Sequence, residues 1–218
     1  MINPHLPPPN RHGLLITFEG GEAAGKTTQS ELLALHLEAG GWQVLRLREP
    51  GGTPLGEQVR HLLLQRETQL TPEAELMLFL AARAELVRRV ILPALTDGAV
   101  VICDRFSDST YAYQGFGRGL DLDEVRRLDA FATGGLVPDL TVLLDLPVEL
   151  SRRRLGSDTD AFEREADAFH ERVREGYIAL AGENPERWLV LDATLEAQTL
   201  ANLIVERVQA KASQSSSN

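Results

Sequence analysis

Gly20-Gly21-Glu22-Ala23-Ala24-Gly25-Lys26-Thr27 decides how this 218-residue chain is read. The stretch fits G-x-x-x-x-G-K-[ST] and lies between an apolar run at 14–18 and a helical pattern at 27–38, the strand-to-helix setting in which that spacing has a mechanism. Small residues let backbone N–H groups converge on phosphate oxygens, and the following helix turns the positive end of its dipole towards them. Lys26 is placed to reach the β and γ phosphates, and the Thr27 hydroxyl to hold Mg²⁺. Together with Thr28 the loop predicts a nucleoside triphosphate site, without separating a switch, a motor and a phosphotransferase.

Outward from the loop, short apolar runs alternate with longer periodic ones. Residues 14–18, 44–47, 99–103, 141–144 and 188–191 read as strands. Val100-Val101-Ile102 is apolar without alternation, as in a strand buried on both faces. The intervening patterns predict helices over 27–38, 72–95, 122–133, 162–181 and 196–211, with Arg60 in a further one. Thr71 caps the second with Pro72 at its first position, and Asp121-x-x-Glu124 opens the third. Strands alternating with helices predict an α/β fold with a parallel sheet covered on both faces and ligands at the carboxyl ends of its strands. Residues 1–12, with Pro7-Pro8-Pro9, read as a flexible arm, 13–211 as one domain, and 212–218 as a flexible tail.

Composition narrows the class. Lysine and arginine number 22 against 32 aspartates and glutamates, a net charge of −10, which argues against a nucleic-acid polymer or an anionic membrane as partner. The single Cys103 excludes an internal disulfide and a cysteine-built zinc site and fits a reducing, cytoplasmic setting. No apolar run is long enough to cross a membrane.

The other strand ends carry charge and aromatic groups. After the second come Arg48-Glu49-Pro50-Gly51-Gly52-Thr53, and seven residues later Arg60. The third ends in Asp104-Arg105, a charged pair that is costly at the end of a buried strand unless it is paired or used, and an arginine suits bidentate contact with phosphate. Phe79 and Arg83 share a helix face at i, i+4, where a ring stacks a base and a guanidinium bonds its edge; Phe79 fits a core position equally well. Thr110, Tyr113 and Gln114 form a polar, aromatic stretch, in a loop or short helix, suited to a sugar and base.

These segments together resemble thymidylate kinase of the bacterial type. The resemblance spans almost the whole chain and is carried by Phe18-Glu19-Gly20 through Thr28, Arg48-Glu49-Pro50-Gly51-Gly52-Thr53, Phe79-x-x-x-Arg83, Asp104-Arg105-Phe106, Ala112-Tyr113-Gln114-Gly115 and Asn184-Pro185-Glu186-Arg187. It implies the P-loop nucleoside monophosphate kinase fold, with a five-stranded parallel sheet and a mobile lid, moving the γ-phosphoryl of ATP to dTMP in a homodimer. By the same resemblance Phe79 stacks on thymine and Arg83 bonds its edge. Gln114 and Thr110 complete base recognition, and Tyr113 packs near the sugar, where it disfavours a 2′-hydroxyl. Arg105 and Arg60 neighbour the acceptor phosphate, Glu22 lies towards its sugar and metal end, Asp104 near Mg²⁺, and Glu49 with Pro50 at the rim. The implied catalytic set is Lys26, Arg105, Glu22, Asp104, Arg154 and Arg153, with Arg152 joining the ATP site.

The lid, about 150–163, opens on Arg152-Arg153-Arg154. The family's Asp-Arg-hydrophobic-Glu reads Asp160-Ala161-Phe162-Glu163 here, and a commonly basic position is Gly156, so the transition-state arginine is expected at Arg154 or Arg153. The run 156–160 suits a moving lid that excludes water from ATP. The alternatives are a kinase for another pyrimidine acceptor and a nucleotide switch; the chain has no Asn-Lys-x-Asp for reading guanine. Lys26, Arg60, Arg105 and the lid arginines predict a local cationic cluster, with the acidic excess elsewhere.

Overall fold

A computed structural model describes residues 13–64, 70–155 and 160–215, side chains of 213–215 apart. Five parallel strands, β1 (Leu15–Glu19), β2 (Val44–Arg48), β3 (Val100–Asp104), β4 (Leu140–Asp145) and β5 (Trp188–Asp192), form one sheet in the order β2-β3-β1-β4-β5. Each falls within a residue of the run that predicts it. β1 is central, pairing Phe18 with Asp104 of β3 and with Val142 of β4, so the ends of the three middle strands lie side by side.

Both sheet faces are buried, and this is why the strands read as apolar runs. Ile16, Phe18, Val100, Ile102, Val142 and Leu144 pack on one face against α1 (Lys26–Ala39) and α9 (Ala197–Ser215). Leu15 and Val101 face the other side, meeting Leu86, Val87 and Ile91 of the long helical run that begins with α3 (Pro72–Leu86). The edge strand β2 is only partly covered, and its arginines pair outward: Arg46 with Glu31 of α1, Arg48 with Glu57 of α2 (Pro54–Leu64).

Three helical expectations change, and one left open between loop and short helix is settled. The run predicted over 72–95 widens to a π-helical turn at Val87–Ile91 before α4 (Leu92–Thr96), because Pro93 has no N–H for the i→i−4 ladder. The stretch after Asp104-Arg105 is helical: α5 (Ser107–Thr110) passes into a π-helical turn, Tyr111–Gly117, ahead of α6 (Leu122–Thr133). The helix predicted from 162 starts later, as α8 (Asp167–Glu183). Phe162 has the right period for it, but Asp160 Oδ1 accepts the N–H groups of Phe162 and Glu163, Glu163 Oε2 accepts that of Asp160, and Ala161 N donates to Leu64 O. That reciprocal cap closes a separate turn. Finally, α9 runs to Ser215, into what reads as tail. The proline-rich arm, Gly156 and the last three residues lie outside the described residues.

Gly176 of α8 lies against the Phe116 ring, so that a Cβ there would fall 2.7 Å from Phe116 Cγ. Alanine in a helix interior is ordinarily worth up to about 1 kcal/mol over glycine. Here overpacking wins: Gly176→Ala is expected to lower stability by about 1–2 kcal/mol net, read by urea unfolding.

Candidate active site

The phosphate loop turns from β1 into α1 at the sheet's carboxyl edge. Gly20 has φ 130°, and a Cβ there would lie 2.4 Å from Leu144 O, so the start of the turn admits only glycine. Lys26 is buried, with Nζ donating to Gly20 O (3.2 Å) and Gly21 O (2.7 Å). The hydroxyl of Thr27 donates to Asp104 Oδ2 at 3.0 Å, bringing two hard oxygen groups together beneath the loop.

Asp104 and Arg105 do not pair with each other. Arg105 has φ 69°, left-handed backbone for a residue with a Cβ. Its guanidinium donates to Glu22 Oε1 (2.7 Å), Gly20 O (3.1 Å), Ser109 Oγ and Tyr177 Oη, and lies 5.0 Å from the centre of the Tyr113 ring. Tyr113 Oη donates to the same Glu22 oxygen at 2.6 Å. Burial alone would raise the Glu22 pKa, but Arg105, Lys26 and the Tyr113 hydroxyl bring it down to about 2. Below the loop, Glu19 is buried among Phe106 N, Ser109 and Tyr177. Burial, then Asp108, raises its pKa from 4.5 to about 7 against the pull of Ser109 and Arg105.

One cavity of about 440 Å³ runs from the loop to the far side of α3, over Glu22, Lys26, Thr27, Asp104 and Arg105 to Phe79, Thr110, Tyr113 and Gln114. Ala23, Ala24, Gly25, Thr28, Glu49, Pro50, Arg60 and Arg83 line it too. Phe79 is half-buried, its ring centre 5.8 Å from that of Phe162. Arg60 donates to Pro50 O at 3.1 Å. Arg83 is only 1% exposed. Its Nε and Nη2 meet Glu49 Oε2 at 2.7 Å, Nη1 donates to Asp129 Oδ1 (2.7 Å) and Thr110 Oγ1 (2.8 Å), and Nη2 to Phe106 O. Every donor of the guanidinium is thus directed at protein, so Arg83 builds the wall that presents Glu49 and Thr110.

The three arginines expected in the lid part company. On α7 (Val148–Arg154), Arg154 reaches the loop itself, with donors towards Ala23 O (3.4 Å) and Ala193 O (3.1 Å). Arg152 turns to Asp167 and to the carbonyls of Glu163 and Glu165, tying α7 to the 160–163 turn. Arg153 pairs with Glu149 on an exposed face, and none of the three arginines lines the cavity.

Arg48, Ser109, Asp160, Phe162 and Glu163, given no site role from the sequence, also line the cavity, and other groups escape sequence reasoning altogether. Glu57 holds the Gly51-Gly52 turn through Gly52 N (2.9 Å) and also binds Arg48. Arg187 grips Asp108 with both terminal nitrogens, at 2.6 and 2.9 Å, which fixes α5 to the sheet edge. The carboxylate periodicity around Glu57 and Arg187 carries no signal of these partners; only the third dimension brings them together.

The cavity holds five acidic and five basic residues and none of Arg152–Arg154, so the cationic cluster expected there is balanced by carboxylates, and the excess of ten acids lies outside it. Comparison with known proteins decides what such a cleft belongs to. The thymidylate kinase family model matches residues 18–204. The chain belongs to the thymidylate kinase family. It is 55% identical over 192 residues to a thymidylate kinase of Thermomicrobium roseum, covering 87% of this chain and 91% of that one. It is 52% identical over 195 residues to one of Gloeobacter violaceus, covering 88% and 92%. A crystal structure of thymidylate kinase from Ehrlichia chaffeensis superposes with a TM-score of 0.75 at 34% identity, over 91% of this chain and 99% of that one. The nucleoside monophosphate kinase fold expected of this family is the one observed.

Removing the cation between Glu49 and Asp129 leaves two buried carboxylates uncompensated. Arg83→Ala is expected to cost about 3–5 kcal/mol of stability, measured by urea unfolding. Glu19 gives a second expectation. Between pH 4.5 and about 7 the folded chain keeps a proton that the unfolded chain has released, so this residue's contribution is full below that window and is lost as pH rises through it. Unfolding free energies at pH 5, 6, 7 and 8 should fall for the wild type relative to Glu19→Gln, which cannot titrate; parallel curves would remove the assignment.

Proposed function

We propose that this chain transfers the γ-phosphoryl of ATP to dTMP, giving dTDP and ADP. The single cavity shared by the phosphate loop and the Phe79–Gln114 pocket carries this reading, because donor and acceptor must meet within one water-poor space. The loop from Gly20 to Thr28 takes the ATP phosphates, with Lys26 exchanging its two carbonyl partners for β and γ oxygens. Phe79 stacks on the base, Thr110 and Gln114 face its edge, and Tyr113, held by Glu22, walls the sugar side. Arg105 and Arg60, with Arg48 beside them, meet the acceptor phosphate.

The chemistry is displacement: an oxygen of the acceptor phosphate forms a bond to the γ phosphorus as the bond to the bridging β oxygen breaks, and ADP leaves with that electron pair. The attacking oxygen is already anionic, so positioning and charge neutralisation matter more than a strong base. Lys26 and Arg105 supply fixed positive charge, and Glu22 orients Arg105. A divalent metal, which we take to be Mg²⁺, suits the Thr27 hydroxyl and the Asp104 carboxylate, hard oxygens with room for phosphate ligands. When bound, Mg²⁺ would neutralise charge on the phosphate oxygens.

Residues 13–211 act as one domain in this reading, with 150–163 as the lid and Arg154 as its phosphate-facing arginine. We further propose a cytoplasmic homodimer, as the family resemblance implies. Separately, no helix of the described residues is long and apolar enough to cross a membrane.

ADP release with ATP and Mg²⁺ against dTMP, dUMP, dCMP and AMP tests the assignment: dTMP should support the highest kcat/KM, and equal rates without any acceptor would sink it. Arg154→Ala should lower kcat at least about tenfold while leaving the KM for dTMP nearly unchanged, as for a contact made mainly in the transition state. An unaltered kcat moves that role elsewhere in the lid.

A further inference from the structure

We propose that Glu75 is a positioning residue that sets base selectivity, by fixing which end of the Gln114 carboxamide faces the acceptor. The inference rests on reading that acceptor as a pyrimidine monophosphate. Glu75 lies in the first turn of α3 with no solvent exposure, and Gln114, in the π-helical turn after α5, is 1% exposed. Gln114 Nε2 donates to Glu75 Oε1 at 2.8 Å, while Gln114 Oε1 has no hydrogen bond from the described residues and the side chain lines the cavity.

A carboxamide offers a donor at one end and an acceptor at the other, nearly equal in shape. What decides its orientation is the chemistry of the partner, and a carboxylate only accepts. Glu75 therefore takes the NH₂ end and leaves the carbonyl oxygen for the cavity. Arg118 keeps this carboxylate in place, donating from Nε and Nη2 at 3.1 Å each. Arg118 is itself held by Glu165 at 2.7 Å and by the Phe169 ring, 4.6 Å from its guanidinium carbon. The orientation of Gln114 is thus set two residues deep.

An acceptor oxygen turned to the base selects for an N–H at the edge it meets. Thymine and uracil are imides and carry N3–H; cytosine has a lone pair on that nitrogen. With the carboxamide reversed, an NH₂ would face the base and the preference would change sides. The selectivity for imide over amino pyrimidines thus depends on a residue that lines no part of the cavity.

The test is steady-state kinetics with dTMP, dUMP and dCMP for the wild type, Glu75→Leu, Glu75→Gln, Gln114→Leu and the Glu75→Leu/Gln114→Leu double variant. Glu75→Leu should raise KM for dTMP and dUMP about tenfold, the loss of one oriented hydrogen bond, with kcat within about twofold. The kcat/KM ratio of dTMP to dCMP should fall about tenfold while that of dTMP to dUMP holds. Glu75→Gln, whose own carbonyl oxygen still accepts from Gln114, should stay near the wild type. In the Gln114→Leu background, adding Glu75→Leu should change the dTMP to dCMP ratio no further. Equal losses on all three acceptors, an unchanged ratio, or an additive loss in the double variant would mark Glu75 as structural only and overturn the proposal. A wild type that phosphorylates none of the three removes the acceptor reading itself, a different failure from a dTMP-selective wild type whose ratio survives Glu75→Leu. Should Glu75→Leu not fold, nitrogen-15 spectra of the wild type decide: a slowly exchanging Gln114 NH₂ that keeps its shift when dTMP binds supports the assignment, and one that shifts strongly as the base arrives overturns it.

Discussion

The site depends on Arg105 being held against both electrostatics and backbone preference. A guanidinium at the end of a central strand is desolvated, and left-handed backbone at a residue with a side chain costs roughly 1–2 kcal/mol. Both costs are offset by the contacts it makes. Gly20 O and Glu22 belong to the phosphate loop, Ser109 to α5 and Tyr177 to α8. One side chain thus joins three elements that the sheet alone does not bring into register. Glu19 sits on the other side of Ser109 and Tyr177, so the same hydroxyls carry the connection into the floor of the loop.

The strands were legible because burial on both faces erases alternation, and the loop because its spacing is set by phosphate geometry rather than by packing. Helix boundaries were legible where a local cap acts: Thr71 accepts from Ala74 N, and Asp121 from Glu124 N. The start of α8 was not legible, because the Asp160–Glu163 cap closes a turn of its own and a backbone bond from Ala161 to Leu64 O holds that turn apart from the helix. A one-dimensional period cannot register that bond.

The site divides in the same way. Residues proposed to meet a ligand sit in a recognisable spacing beside strand ends, so Lys26, Thr27, Asp104 and Arg105 could be picked out directly, whereas Phe79, within α3, fitted a core position equally well. Groups that hold other groups are scattered. Glu57, Asp129, Glu165 and Arg187 each look like ordinary surface charge until the partner appears across 9 to 79 residues of chain. Arg152, Arg153 and Arg154 of α7 show the limit sharply: they are consecutive, so the helix turns them about 100° apart and hands them three different partners.

β2 lies at an open end of the sheet and also supplies, through Arg48, part of the cleft wall. An edge strand exposes unsatisfied backbone groups that can recruit another chain. On β2, Arg46 and Arg48 alternate with the apolar positions and extend over this rim to Glu31 and Glu57. A second copy approaching edge to edge would meet its own arginines and would have to break both ion pairs. Charge placed on the edge strand at this rim of the cleft thus opposes ribbon-like pairing of one sheet with another.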